Sequence, residues 1–91
     1  MTNEWDEVSY VISSRYRVAT LKRLQIGPAT PSLIATDTDL TIAHISRALQ
    51  ELQEEELVTL LVSEDRRKGR VYGTTEEGET VIETIEAENM A

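Results

Sequence analysis

The stretch TPSLIATDTDLTIAHISRALQELQEE, Thr30 to Glu55, contains two helix starts in close succession. Thr30 is placed to cap, and Pro31 follows at the first helical position, where its missing N–H costs nothing. A short helix from about Pro31 to Thr36 is predicted, then a turn through Asp37, Thr38 and Asp39. Thr41 caps a longer helix that runs to about Glu55. Its apolar residues Ile45, Ala48, Leu49 and Leu52 recur at spacings of three and four, which puts them on one buried stripe. Residues 30–55 therefore predict a short helix, a tight turn and a longer helix.

Working outward, the period changes. Leu57 to Ser63 is short and rich in β-formers, Glu64 to Gly69 is a charged turn, and Arg70 to Thr74 returns, so residues 57–74 predict a hairpin. Thr74-Thr75-Glu76-Glu77 matches a capping box and opens a last helix over 75–88, with Val81, Ile82 and Ile85 as its stripe. Upstream, residues 4–26 are helical, and Gly27-Pro28 stops them. Val8, Val11, Ile12, Val18 and Ala19 share one face; Tyr10, Arg17, Leu21 and Leu24 share another. The pattern fits one helix buried on two sides. It equally fits two helices, with Ser13-Ser14 ending the first and capping the second and residues 1–13 forming an N-terminal extension. The fold class is mainly α with a β-hairpin, in the order helix, helix, helix, two-stranded wing, helix.

Ninety-one residues fit a single domain with a modest core, which association would help to stabilise. There is no cysteine, so disulfides, thiolate metal sites and cysteine nucleophiles are excluded. His44 is the sole histidine, too few for an ordinary zinc site, and no cofactor or metal is expected. No apolar run approaches membrane-spanning length, and the acidic start Met1-Thr2-Asn3-Glu4-Trp5-Asp6 lacks a signal-peptide core, so the expected location is cytoplasmic. No nucleophile–base pair, phosphate loop or metal cluster is present, and an enzyme is not expected.

The net charge of −8 opposes nucleic acid at first sight. Its distribution does not. Arg15, Arg17, Lys22 and Arg23 form one basic cluster; Arg66, Arg67, Lys68 and Arg70 form another at the hairpin tip, while acids fill the segments between and the C-terminal region. Only Lys22 and Lys68 are lysines, and phenylalanine is absent. Hydrated carboxylates with few lysines suit a protein working in strong salt, which points to a halophilic, archaeal source.

The blocks Leu33-Ile34-Ala35, Ile45-Ser46-Arg47-Ala48-Leu49-Gln50-Glu51-Leu52, Leu57-Val58 and Tyr72-Gly73-Thr74-Thr75-Glu76-Glu77-Gly78 resemble the ArsR/MarR-type winged helix-turn-helix regulators. The stretch from Ser63 to Tyr72 resembles the wing of their small haloarchaeal relatives. The resemblance covers about residues 14–80. It implies a transcriptional regulator that binds double-stranded DNA as a homodimer, with no membrane role and an unspecified effector. The metal sensing of many ArsR-type proteins does not carry over without cysteine.

With Ile45, Leu49 and Leu52 inward, the opposite side of the second helix of the pair carries Ala43, Arg47, Gln50 and Glu54, with Ser46 and His44 on the flanks. Base contacts in such motifs come mainly from the N-terminal part of that helix, so Ile42, Ala43, His44, Ser46, Arg47 and Gln50 are expected in the major groove. Arg47 suits guanine, Gln50 adenine, and Ile42 or Ala43 a thymine methyl. His44 fits a DNA contact and a cap-side surface position equally. Thr41 suits a phosphate. Arg66, Arg67, Lys68 and Arg70 suit the DNA backbone or minor groove. The implied dimer seam takes Trp5, Val8, Val11 and Ile12 at one end and Val81, Ile82 and Ile85 at the other; an intramolecular core is the competing place for them. A winged helix used only as a protein–protein interaction module would explain the acidic total more simply; the basic wing and Arg47 favour DNA.

Overall fold

In a computed structural model, residues 4–62 and 70–88 are described, the side chains of Glu4 and Val62 excepted. The elements are α1 (Glu4–Ile12), α2 (Arg15–Ile26), α3 (Pro31–Thr38), α4 (Ile42–Glu54), β1 (Val58–Val62), β2 (Val71–Thr74) and α5 (Glu76–Ala87). This is the expected mainly helical order with a hairpin.

The N-terminal region is two helices. Ser14 has extended backbone angles, and its hydroxyl accepts from the Arg17 N–H at 3.3 Å, so it caps α2 while α1 ends just before it. Thr30 caps α3 and Thr41 caps α4, each accepting from the N–H three residues on. α3 runs a half-turn beyond the expected Thr36, to Thr38. Asp39, in the left-handed region at φ 59°, makes the turn, and Leu40 N–H donates back to the Ala35 carbonyl. An aspartate tolerates that conformation better than most residues.

α4 ends in a Schellman motif. Glu56 N–H donates to the Gln53 carbonyl and Leu57 N–H to the Leu52 carbonyl, with Leu52 and Leu57 both buried. The left-handed position in this motif is held by Glu56, at φ 61°. A glutamate there carries a Cβ cost of about 1–2 kcal/mol that glycine avoids. Glycine also loses more chain entropy on folding. Glu56→Gly is therefore expected to raise stability by about 1 kcal/mol, the smaller part of that difference. Urea denaturation checks this; a lowered midpoint would show that the Glu56 side chain contributes more than its backbone costs.

The last helix is capped one residue later than expected. Thr75, not Thr74, accepts from the Gly78 N–H at 3.0 Å. The third helical position is then Gly78, so the reciprocal carboxylate of a capping box is missing. Thr75 instead ties α5 to the end of the α4 turn. Its hydroxyl donates to the Glu56 carbonyl at 2.7 Å and its N–H to the Leu57 carbonyl at 3.1 Å.

The hairpin is antiparallel, pairing Val58 with Thr74, Thr59 with Gly73 and Leu60 with Tyr72, then slipping so that Val62 meets Val71. Leu61 is the extra residue of this bulge and is exposed. On its other edge, Tyr72 exchanges both backbone hydrogen bonds with Ala29. The loop between α2 and α3 thus acts as a one-residue third strand and fixes the wing base beside the helix pair.

One core joins all the elements. Leu21, Ile34, Ile45, Leu49, Leu52, Leu57, Ile82 and Ile85 are its largest fully buried members. Val8, Val11, Val81, Ile82 and Ile85, expected at a dimer seam, are at most 1% exposed within this one chain, where α1 packs on α5. Within this chain these five belong to its own core. Trp5 and Ile12, by contrast, remain 56% and 39% exposed.

Candidate nucleic-acid interface

The stripe Ile45, Ala48, Leu49 and Leu52 anchors α4 so that its other side faces out. Thr41, Ile42, Ala43, His44, Ser46, Arg47 and Gln50 are all exposed, as the periodicity required. Ile42, Ser46 and Gln50 line an open groove of about 700 Å³. Its far walls are the start of α3, at Pro31 and Ser32, and the base of the wing, at Arg70 and Tyr72. Arg70 is exposed, and its guanidinium reaches the Tyr72 hydroxyl at 3.5 Å. Arg66, Arg67 and Lys68 lie outside the described residues.

Sequence reasoning did not select Ser32, Leu33 or Gln53. Ser32 and Gln53 line the groove, and Leu33 stays 43% exposed beside Ser32 on the first turn of α3. The signal available was the shortness of α3, which buries only Ile34 and leaves Ser32 and Leu33 of its first turn exposed.

The first basic cluster divides into separate roles. Arg17 is structural. Its Nε donates to the Tyr10 carbonyl at 2.9 Å, its two amino groups to Glu51 at 2.9 Å and Ser13 at 2.7 Å, and its guanidinium stands 4.0 Å from the Tyr10 ring centroid. Burial pushes the Tyr10 hydroxyl above its ordinary value, Arg17 works against that, and Glu51, Glu55 and Glu54 add to it. Arg23 is structural too, donating to Asp37 at 2.7 Å and to the Gly27 carbonyl at 3.1 Å, which joins α2 to α3. Arg15 lies over the Tyr16 ring at 5.2 Å.

Glu51 is therefore engaged from two sides. One oxygen takes Arg17, and the other sits 3.7 Å from Arg47 Nε, one turn back along α4. The Arg47 side chain is 80% exposed, so this second contact is a loose tether. His44 is fixed more firmly. Its ring stacks on Tyr16 of α2, with centroids 4.2 Å apart and planes 5° from parallel, and its Nδ1 lies 2.6 Å from the Thr41 hydroxyl.

Among the described residues no three His, Asp or Glu side chains group as a metal set would, and no helix is long and apolar enough to cross a membrane.

Several solved structures share the fold. A MarR family transcription regulator, SP03579, superposes with a TM-score of 0.76 at 27% identity, over 85% of this chain and 52% of its own. The zinc-responsive MarR family member ZitR of Lactococcus lactis gives 0.71 at 23% identity, over 81% and 51%. A mutant of S. aureus MepR gives 0.72 at 21% identity, over 81% and 56%. The chain thus spans about half the length of each of these proteins, and it has their winged-helix fold. No curated protein matches it. A sequence model of the HVO_A0261 N-terminal domain does match, over residues 5–90, so the chain belongs to that family.

Proposed function

We propose that this chain is a transcriptional regulator that binds double-stranded DNA, with α4 in the major groove and the wing along the backbone. The observation that carries the proposal is the outer face of α4. It is exposed along its length, carries Ser46, Arg47 and Gln50, and opens into a groove flanked by the α3 start and Arg70. A major groove about 12 Å wide accepts a helix presented in this way. Arg47 and Gln50 read bases, Ile42 and Ala43 meet methyl groups, and Thr41, Arg66, Arg67, Lys68 and Arg70 hold phosphate. The fold shared with a MarR family transcription regulator supports the same reading.

The protein acts as a homodimer, with Trp5 and Ile12 of α1 in the seam, because they are the apolar residues of α1 that its own core leaves exposed. It works in the cytoplasm without metal or cofactor and is not an enzyme. Its acidic, lysine-poor composition supports a halophilic archaeal source, where high salt would screen the net charge of −8.

The test is a titration of random-sequence duplex across a salt series that keeps the fold intact. Replacing Arg66, Arg67 and Lys68 together by alanine is expected to weaken binding to all sequences about equally. It should also lower the magnitude of the log–log salt slope by roughly 2–3 per protomer. An unchanged slope would show that the wing does not touch the backbone. No binding by the unsubstituted protein at any salt would leave the protein–protein module as the better reading.

A further inference from the structure

We propose that Arg17 and Glu51 are positioning residues for Arg47: by pinning the Glu51 carboxylate, Arg17 keeps it from capturing the Arg47 guanidinium and leaves that group able to read a base. This rests on the reading of Arg47 as a base contact of α4. Arg47 and Glu51 lie one turn apart on that helix, a spacing at which opposite charges meet readily. Yet Arg47 Nε stands 3.7 Å from Glu51 Oε2. Hydrogen bonds of this kind end near about 3.2 Å, so the two side chains attract without bonding. The Arg47 side chain stays 80% exposed, with its planar fork turned to solvent.

Arg17 sets that gap. One of its amino groups donates to Glu51 Oε1 at 2.9 Å, from α2 and 34 residues away in the chain. Arg17 cannot follow if Glu51 swings toward Arg47, because three other contacts hold it. Its Nε donates to the Tyr10 carbonyl at 2.9 Å, its other amino group donates to the Ser13 hydroxyl at 2.7 Å, and its guanidinium rests over the Tyr10 ring. The Arg17 side chain is only 13% exposed, so these bonds are shielded from solvent far better than the Arg47 contact. The carboxylate is thus fixed by one oxygen to an immobile cation, and its second oxygen stops short of Arg47.

Without Arg17 the balance reverses. Glu51 is 70% covered by protein, so an unpaired carboxylate there lacks much of its hydration and needs a new cation. Arg47, one turn back on the same helix, supplies it. Charge-assisted bonds from Arg47 to both oxygens would then lay its side chain along α4, out of the major groove. Arg17 and Arg47 therefore compete for one carboxylate, and the buried competitor wins it so that the exposed one remains available. The uncovered carboxylate would also repel phosphate, but that acts on every duplex alike. Capture of Arg47 acts on sequence preference.

The experiment reads preference: affinity for a duplex that the unsubstituted protein selects from a random pool, divided by affinity for the pool itself. A partly unfolded variant loses both affinities equally, so a merely structural role leaves this ratio unmoved. Arg17→Met is expected to lower it roughly three- to fivefold, the upper part of what a partly exposed ion pair is worth. Adding Glu51→Gln, which removes the charge that captures Arg47, should restore it to within about 1.5-fold, and in an Arg47→Ala background Arg17→Met should change it by no more than that. A second measurement stands whether or not Arg17→Met folds. In NMR spectra of the unsubstituted protein, the Arg17 Nε–H signal should stay in place when the selected duplex is added, while that of Arg47 moves. Equal losses on both duplexes, no restoration by Glu51→Gln, or an Arg17 signal that shifts with Arg47 would overturn the proposal while DNA binding itself stands. An unchanged preference in Arg47→Ala alone would remove the base contact on which it rests, and failure to select any duplex would remove the sequence-specific reading altogether.

Discussion

Gly78→Ala is expected to destabilise the fold by about 2–3 kcal/mol, although the residue lies in the first turn of a helix. By propensity alone the change should help, since alanine is favoured over glycine in helices by about 1 kcal/mol. Packing reverses the sign. Gly78 is buried, and a Cβ there would collide with the Leu57 carbonyl oxygen. That oxygen belongs to backbone and cannot swing aside. It already accepts the Thr75 N–H, while Thr75 Oγ1 holds the Glu56 carbonyl one residue earlier. These restraints meet where the α4 turn, the start of β1 and the start of α5 converge. To admit one methyl group, α5 must slide or β1 must shift, and either opens the core at Leu57 and Ile82. For a domain this size the midpoint of thermal unfolding should fall by about 8 °C or more. Thr80→Ala, at an exposed position on the same helix, serves as control and should change little. A rise in stability for Gly78→Ala would mean that the helix does not pack this closely against β1.

The same junction shows where sequence reasoning stopped. A threonine followed three residues on by glutamate is a good helix start, and Thr74 with Glu77 fits it. The chain uses Thr75 because tertiary contacts with the Glu56 and Leu57 carbonyls outweigh a local side-chain bond. Nothing near Thr75 in the sequence announces those partners. The helix pair was legible because it is local: Thr30-Pro31, Thr41 and the Ile45–Leu52 stripe are all decided within one or two turns. The exposed face of α4 followed from the same stripe. The division of the basic residues was not legible. Arg17 and Arg47 look alike in sequence, and they differ because Glu51 holds Arg17 across 34 residues of chain but only tethers Arg47. The terminal stripes were visible, but whether they close on each other or on a second copy depends on how α1 meets α5.

Arg47→Ala is the substitution that most directly tests α4 as the reading head. Arg47 lies between the buried residues Ile45 and Leu49 and is turned away from both, with its side chain 80% exposed. Its contact with Glu51 is long and solvated, and Glu51 keeps Arg17 when Arg47 is removed. Folding stability should therefore stay within about 0.5 kcal/mol of the unsubstituted protein. DNA binding should not. If the guanidinium forms its two bonds to a guanine, specific binding falls by about 1–3 kcal/mol and selectivity relaxes at one base pair. If it holds phosphate, affinity falls on every duplex and the sequence preference survives. Arg47→Lys separates the two, because lysine keeps the charge but loses the planar fork. For a base contact, Arg47→Lys should behave nearly like Arg47→Ala on specific DNA and nearly like the unsubstituted protein on random DNA. For a phosphate contact it should restore most of the binding to both. The measurement is a paired titration of specific and random duplex for the three proteins. If neither variant changes either affinity, α4 does not read DNA through this residue, and a partner protein becomes the better occupant for its exposed face.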